Sequence, residues 1–289
     1  MTDDLSPSSV FDVAGDESAG PAGEAHHDDA SPARQRNGVC MVVGGNRGIG
    51  LALVEGLLNE ANTRQVVATY RLSSDREKLT SLKEQNASRL SIVPLDVTDD
   101  FSLAAFSNYL QTRQDEKRPG LPELVVHSAG ILHGRELESE KTLEQCSPRK
   151  LLRMFEVNSI GPLMVARALL PLYDKQRPFV FAALSAMVGS IGDNRLGGWY
   201  GYRASKSALN QFVKTLSNEC RHRFPQAAIV AVHPGTTDTD LSRPFQRGVK
   251  PGKLYSPPQS ATRILDVIKS LDARQNGRFF NWDGGEIPW

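Results

Sequence analysis

The 289-residue chain has few cysteines, almost no net charge and no long apolar run. Its three cysteines, Cys40, Cys146 and Cys220, are odd in number and widely separated. They match neither a metal-ligand nor a redox spacing, so they read as thiols in a reducing, cytoplasmic compartment. A net charge of +1 provides no pull toward nucleic acid or an anionic membrane. The stretch that comes nearest to a membrane span, 179–191, is interrupted by Ser185, Gly189 and Ser190 and reads as a buried strand followed by a loop. Residues 1–33 lack Lys and Arg but carry Asp3, Asp4, Asp12, Asp16, Glu17, Glu24, Asp28 and Asp29. Such a segment buries too little apolar surface to offset its ordering entropy, so 1–36 is expected to be a disordered acidic tail. It has neither the basic start and apolar core of a secretory signal nor the Arg-rich composition of a transit peptide. His127, His133 and His233 lack helix-spaced or cysteine partners, and no metal site is expected.

What is present from residue 37 onward is a rhythm. Short apolar runs at 39–43, 65–70, 90–95, 124–127, 179–184, 228–232 and 278–281 are mostly rich in Val and Ile. Near-continuous apolar runs are expected of parallel strands covered on both faces. Helical patterns lie between them, at 48–60, 75–84, 99–111, 148–173, 202–224 and 259–271. Thr98-Asp99 precedes one helix and Ser256-Pro257-Pro258 another, both suitable starts. The alternation predicts an α/β fold of Rossmann type, a single domain over 37–289 with a doubly wound parallel sheet between two helical layers. Ligands of such sheets sit outside the carboxyl ends of the strands.

The first strand runs into Gly44-Gly45-Asn46-Arg47-Gly48-Ile49-Gly50, which opens the first helix. Glycines allow a sharp turn and close backbone approach to a pyrophosphate, and the helix start offers free N–H groups. The spacing is GxxxGxG rather than GxGxxG. At the second strand end an acidic residue would bind the ribose of NAD. Here no carboxylate appears before Asp75; Arg71 stands there instead, with Arg47 in the glycine loop. Two guanidinium groups suit a 2′-phosphate, so the expected cofactor is NADP(H). Further on, Tyr202 and Lys206 share a helix face at i, i+4, whereas Tyr200 has Ala204 at that spacing. The pair is too short a motif to stand alone.

Its context supplies the rest. GGNRGIG at 44–50, LDV at 95–97, SAG at 128–130, Asn158 in EVNSIGP, LSAMVGSI at 184–191, YRASK at 202–206 and HPGTTDTDL at 233–241 occur in one order. Together they resemble the short-chain dehydrogenase/reductase superfamily over essentially all of 37–289. GSIGDN, YRASKSALN and the closing FFNWDGGEIPW are similar to its C-factor and sniffer-type carbonyl reductase branch. The resemblance implies that Tyr202 gives a proton to a carbonyl oxygen while NADPH delivers hydride to the carbon. A free phenol has a pKa near about 10, and an adjacent ammonium lowers it, the expected part of Lys206 along with ribose binding. Asn158 is expected in a proton relay. Asp96 and Val97 are expected beside the adenine, Ala129 and Gly130 beside the cofactor, and Pro234, Gly235 and Thr239 beside the nicotinamide.

The chain also departs from the family pattern. Where two serines commonly follow the fifth strand it has Ser185 and Ala186. Either Ser185 polarises the carbonyl, or Ser190 helps, or the site works without that hydroxyl; Ser185 is the expectation. Val43 replaces a threonine at the glycine loop, His127-Ser128-Ala129-Gly130 replaces NNAG, and Thr237 stands where an apolar residue is frequent. ELESEK at 136–141 reads as a solvated loop. A loop over 240–256 is expected to cover the site, with Phe245 and Leu254 offering an apolar lining or Arg243, Arg247, Lys250 and Lys253 favouring an acidic substrate. The expected partner is a small-molecule carbonyl or alcohol, with no nucleic acid and no membrane, and the resemblance implies a homo-oligomer, dimer or tetramer. The competing reading is a catalytically weak NADP(H)-binding sensor or interaction protein, supported by Ala186 and the altered NNAG and opposed by the intact Tyr202, Lys206 and Asn158.

Overall fold

The computed structural model describes residues 38–115, 120–134 and 137–289; the acidic segment 1–36 lies outside them. Seven strands form one sheet: β1 (Val39–Val43), β2 (Gln65–Tyr70), β3 (Leu90–Pro94), β4 (Leu124–His127), β5 (Phe179–Leu184), β6 (Ala227–His233) and β7 (Phe279–Asn281). The helices between them are α1 (Gly48–Asn59), α2 (Glu77–Gln85), α3 (Asp100–Asp115), α4 (Pro148–Phe155), α5 (Gly161–Leu169), α6 (Tyr200–Arg223) and α7 (Pro257–Lys269). Spatial order is β3-β2-β1-β4-β5-β6-β7, and every pairing is parallel.

Strand residues alternate between two apolar layers, as the pleat requires. Val39, Met41 and Val43 pack with Phe106, Val165, Leu209 and Val213 from α3, α5 and α6. Cys40 and Val42 pack with Leu53, Val54, Ile264 and Ile268 from α1 and α7. Both faces are covered, which explains why the strands read as nearly unbroken apolar runs. The sheet order reverses between β1 and β4, and the crevice at that reversal holds the candidate site. Among the described residues no helix is long and apolar enough to cross a membrane.

One expected helix is not continuous. The pattern over 148–173 is broken by a π-helical turn at Glu156–Ile160, followed by α5 and a 3₁₀ turn at Leu170–Leu172. Periodicity cannot register a one-residue change of pitch, and π turns favour functional sites. This one carries Asn158. Immediately after it, Gly161 lets the helix press against the loop after β3: a Cβ there would stand 2.6 Å from Val97 Cγ2 and 3.3 Å from Glu156 O. Gly161→Ala is therefore expected to destabilise the fold by about 1–3 kcal/mol through overpacking. Urea unfolding should show a lower midpoint with an unchanged slope; an unchanged midpoint would mean that Val97 yields freely.

Candidate active site

The glycine loop is closed by contacts that leave no room for side chains. A Cβ on Gly50 would lie 2.0 Å from Gly44 O and 2.6 Å from Ser128 Oγ, and Gly44 itself has φ +82°. Gly44 N donates to Thr69 Oγ1 at 3.2 Å, and Gly45 N to Thr69 O at 2.8 Å. Ser128 donates from N and Oγ to Val43 O. Thr69 and Ser128 thus order the loop in which Val43 has no hydroxyl to offer. Arg47, at the N-cap of α1, makes no side-chain cap bond, and the first turn has no acidic residue. That helix start suits an outside anion.

A groove follows the carboxyl ends of β1 to β5. Gly44, Asn46, Arg47, Gly48, Ile49, Gly50, Arg71, Asp96, Val97, Ser128, Ala129, Gly130, Tyr202, Lys206, Pro234 and Thr239 line it, with Thr69, Ser74 and Arg153, which were not among the expected site residues. These residues fit an extended dinucleotide: bare backbone at the loop, guanidinium groups at one end, and Lys206 at the other. Asp75 is turned away, its carboxylate accepting from Glu77 N. Burial opposes ionisation of Asp96, but donation from Thr98 and the charges of Arg71 and Arg153 outweigh it and hold the pKa below the usual value. Two expected cofactor residues do not line the groove. Asn158 is fully buried behind it. Gly235 faces the adjoining cavity, and its φ of +76° and the Trp282 ring 3.0 Å from any Cβ there explain the glycine.

Tyr202 and Lys206 lie one turn apart on α6, with Lys206 Nζ 5.8 Å from the Tyr202 ring centre. Lys206 Nζ donates to Leu184 O at 2.8 Å, tying α6 to the end of β5. Burial pushes the Lys206 ammonium down to about 8 and pushes the Tyr202 phenol up. The latter is opposite to the lowering expected from the pair alone; desolvation dominates. Asn158 Nδ2 donates to Ile131 O (2.8 Å) and Ser205 Oγ (3.0 Å), while its Oδ1 accepts from Ile131 N (2.8 Å). Its amide clamps the loop after β4 to α6. A Cβ on Gly130 would meet Asn158 Oδ1 at 3.3 Å and Lys206 Nζ at 3.7 Å, so the three groups converge on one point.

A second cavity, about 180 Å³, opens beside the groove and shares Tyr202, Ser185, Pro234 and Thr239 with it. Its wall is mainly apolar: Leu132, Met187, Val188, Leu196, Trp199 and Leu241, with Asp193, Arg195 and Arg203 as the charged members. Leu254, Arg243, Arg247, Lys250 and Lys253 are not on it, and Phe245 stands behind Trp199 at 4.9 Å between ring centres. The basic residues of 243–253 therefore do not set the charge of this cavity. Ser185 lines both spaces and donates from Oγ to Asn210 Oδ1 at 2.6 Å. Ser190 lines neither and faces Trp289 O at 3.5 Å. Thr237, whose hydroxyl looked misplaced, is buried with Ser260 Oγ 2.7 Å away. Arg263 is stacked between Tyr255 and Trp282 beneath Gly235, 4.0 and 4.2 Å from their ring centres.

A family model described as short chain dehydrogenase matches residues 38–250. The chain belongs to that family of nicotinamide-dependent oxidoreductases. Among proteins it is similar to is the C-signal of Myxococcus xanthus, 35% identical over 140 residues, spanning 48% of this chain and 78% of that one. Among solved structures, the carbonyl reductase Sniffer of D. melanogaster superposes with a TM-score of 0.73 at 27% identity, covering 88% of this chain and 99% of the other. The NADPH-bound carbonyl reductase from chicken fatty liver gives 0.75 at 28% identity, covering 87% and 94%.

Among the described residues no group of three or more His, Cys, Asp and Glu is placed to hold an ion. Burial, with Lys206 nearby, pushes His127 down to about 3, and burial pushes His233 down to about 4. Both stay neutral in the fold, whereas unfolded histidine takes its proton near about 6.5. The unfolded state thus binds more protons below that value, and stability is lost as pH falls from about 6.5 toward 4. At pH 5 the loss is on the order of 2 kcal/mol for each histidine. His127→Asn should lose less stability between pH 7 and pH 5 than the unaltered protein, measured by urea midpoints; an equal loss would contradict the assignment.

Proposed function

We propose that the protein is an NADP(H)-dependent carbonyl reductase of small, largely apolar aldehydes or ketones, with Tyr202 as proton donor. One observation carries this reading: Tyr202 stands where the dinucleotide-sized groove and the apolar cavity meet, one turn from a buried ammonium. A reduced nicotinamide held by the glycine loop, Lys206 and Pro234 would supply the hydride for the carbonyl carbon. Tyr202 gives its proton to the carbonyl oxygen, so the product is an alcohol. A phenol raised by burial is protonated at neutral pH, which suits the reductive direction. Lys206, pushed down to about 8, exchanges protons readily in the same range and can restore the phenol. Ser185, which lines both spaces, is the hydroxyl assigned to the carbonyl in this reading. Asn158 holds the loop and α6 at fixed separation. The solved carbonyl reductases that resemble this chain support the reaction class.

The groove favours the phosphorylated dinucleotide. Arg71 is exposed at the end of β2, and no carboxylate follows it before Asp75, which is engaged by Glu77 N. Arg47 is the lesser candidate, since it is 64% exposed and 3.7 Å from Asp240. A sensor that binds NADP(H) without turnover is the competing reading. It draws on the Ser185 proton being engaged by Asn210 and on Ala186 lining the cavity.

Two measurements separate these readings. NADPH oxidation across a panel of aldehydes, ketones and quinones should show turnover that falls by about 1,000-fold or more in Tyr202→Phe, with NADPH affinity little changed. Full activity in that variant would sink the mechanism, and tight binding without turnover in the unaltered protein would favour the sensor. Arg71→Glu should lower kcat/KM for NADPH by roughly 10–100-fold, the worth of a charge-assisted hydrogen bond, while NADH is affected far less. Equal losses with both cofactors would remove Arg71 from the phosphate site.

A further inference from the structure

Glu140 belongs to the charged stretch ELESEK, yet it has no exposed surface. The solvated loop expected at 136–141 is thus overturned at this residue. Its backbone oxygen accepts from Trp199 N at 2.5 Å, and its Oε2 accepts from Gly201 N at 3.2 Å. Oε1 is buried without a partner among the described residues. It lies 3.0 Å from where a Cβ on Gly201 would stand, and Leu151 and Met154 crowd the same point. A buried carboxylate with so few hydrogen bonds is costly, and its position shows what offsets the cost.

It stands at the start of α6, a 24-residue helix whose N-cap is Trp199, with no side-chain cap. Three successive residues there are left-handed: Gly197 at φ +67°, Gly198 at +64° and Trp199 at +51°. A bulky residue at positive φ persists only where its surroundings hold it. The backbone and carboxylate of Glu140 hold this helix start from outside, alongside Asn194 Oδ1, which accepts from Gly197 N, and the Phe245 ring against Trp199; of these only the Glu140 carboxylate brings a charge, and a negative charge is favoured at a helix N-terminus. Tyr202 is the next residue after Gly201. Trp199, pinned by the Glu140 carbonyl, forms the cavity wall and meets Tyr202 edge to face at 6.1 Å. Glu140 itself does not line the cavity.

We propose that Glu140 is a positioning residue for the proton donor. Its carboxylate and carbonyl set the first turn of α6, and through it the placement of Tyr202 and Trp199 about the carbonyl substrate. This rests on the reading of Tyr202 as the donor, but the helix start can be measured without turnover.

The experiment compares Glu140→Ala, Glu140→Gln and Tyr202→Phe with the unaltered protein, by peptide-resolved hydrogen exchange and by kinetics with NADPH. Glu140→Ala should speed exchange about 10-fold or more at 197–206, leave the strands protected, and lower kcat about 10–100-fold while KM and NADPH affinity stay within about twofold. Glu140→Gln, whose amide oxygen can still accept from Gly201 N, should recover most of both losses. Unchanged exchange at 197–206, or exchange rising equally throughout the sheet, would overturn the proposal, as would a glutamine variant no better than alanine. If Glu140→Ala does not fold, Gly201→Ala decides: it displaces the carboxylate while keeping it, and normal kcat with normal exchange there would overturn the proposal. Wild-type turnover in Tyr202→Phe would instead refute the donor assignment, leaving exchange to judge Glu140.

Discussion

A buried ammonium cannot be left without an acceptor, and much of the site is organised around meeting that need for Lys206. Its acceptor among the described residues is Leu184 O, the last carbonyl of β5. That bond joins the sheet to α6 and determines how close the two approach. Gly189 then passes directly over Lys206, since a Cβ there would stand 3.0 Å from the lysine backbone and Cβ. The Gly189 carbonyl is held by Ser207 Oγ and Asn210 Nδ2, both further along the same helix. On the other side Asn158 fixes the β4 loop to Ser205. Three segments distant in sequence are thereby registered on one turn of one helix, next to a phenol that burial keeps protonated.

This arrangement explains which parts of the molecule could be read from the sequence. The strands were legible because both sheet faces are covered, so most runs are nearly continuous in apolar character; β1, β2, β4 and β5 fall where the apolar runs predict. That the glycine loop, Arg71, Tyr202 and Lys206 would share the crevice at the strand ends was legible, because each follows a strand end or shares a helix face at a recognisable spacing.

The remainder depends on long-range packing that no local pattern encodes. ELESEK looks solvated because charge usually is; only the uncapped start of α6, sixty residues later, makes a buried Glu140 intelligible. Phe245 was expected to line the cavity and instead supports Trp199, which does. The amide of Asn158 is likewise engaged by Ile131 and Ser205, partners that its local sequence does not indicate. Even the sign of the Tyr202 shift escaped local reasoning, since a neighbouring ammonium and desolvation act in opposite directions and only burial shows which prevails.

The cavity wall has a different origin from the reactive groups. Tyr202 and Lys206 are on a long helix, and Ser185 immediately follows a fully buried strand. Leu132, Met187, Val188, Leu196 and Leu241 come from connecting segments outside the named strands and α-helices. Three of those segments are anchored by atoms other than their apolar wall side chains: Gly189 O on α6, Ile131 on Asn158, and Ser242 Oγ on Thr237 O. The lining can therefore be exchanged, one apolar side chain at a time, without disturbing the anchors. A scaffold built this way can change its clientele while its chemistry stays put.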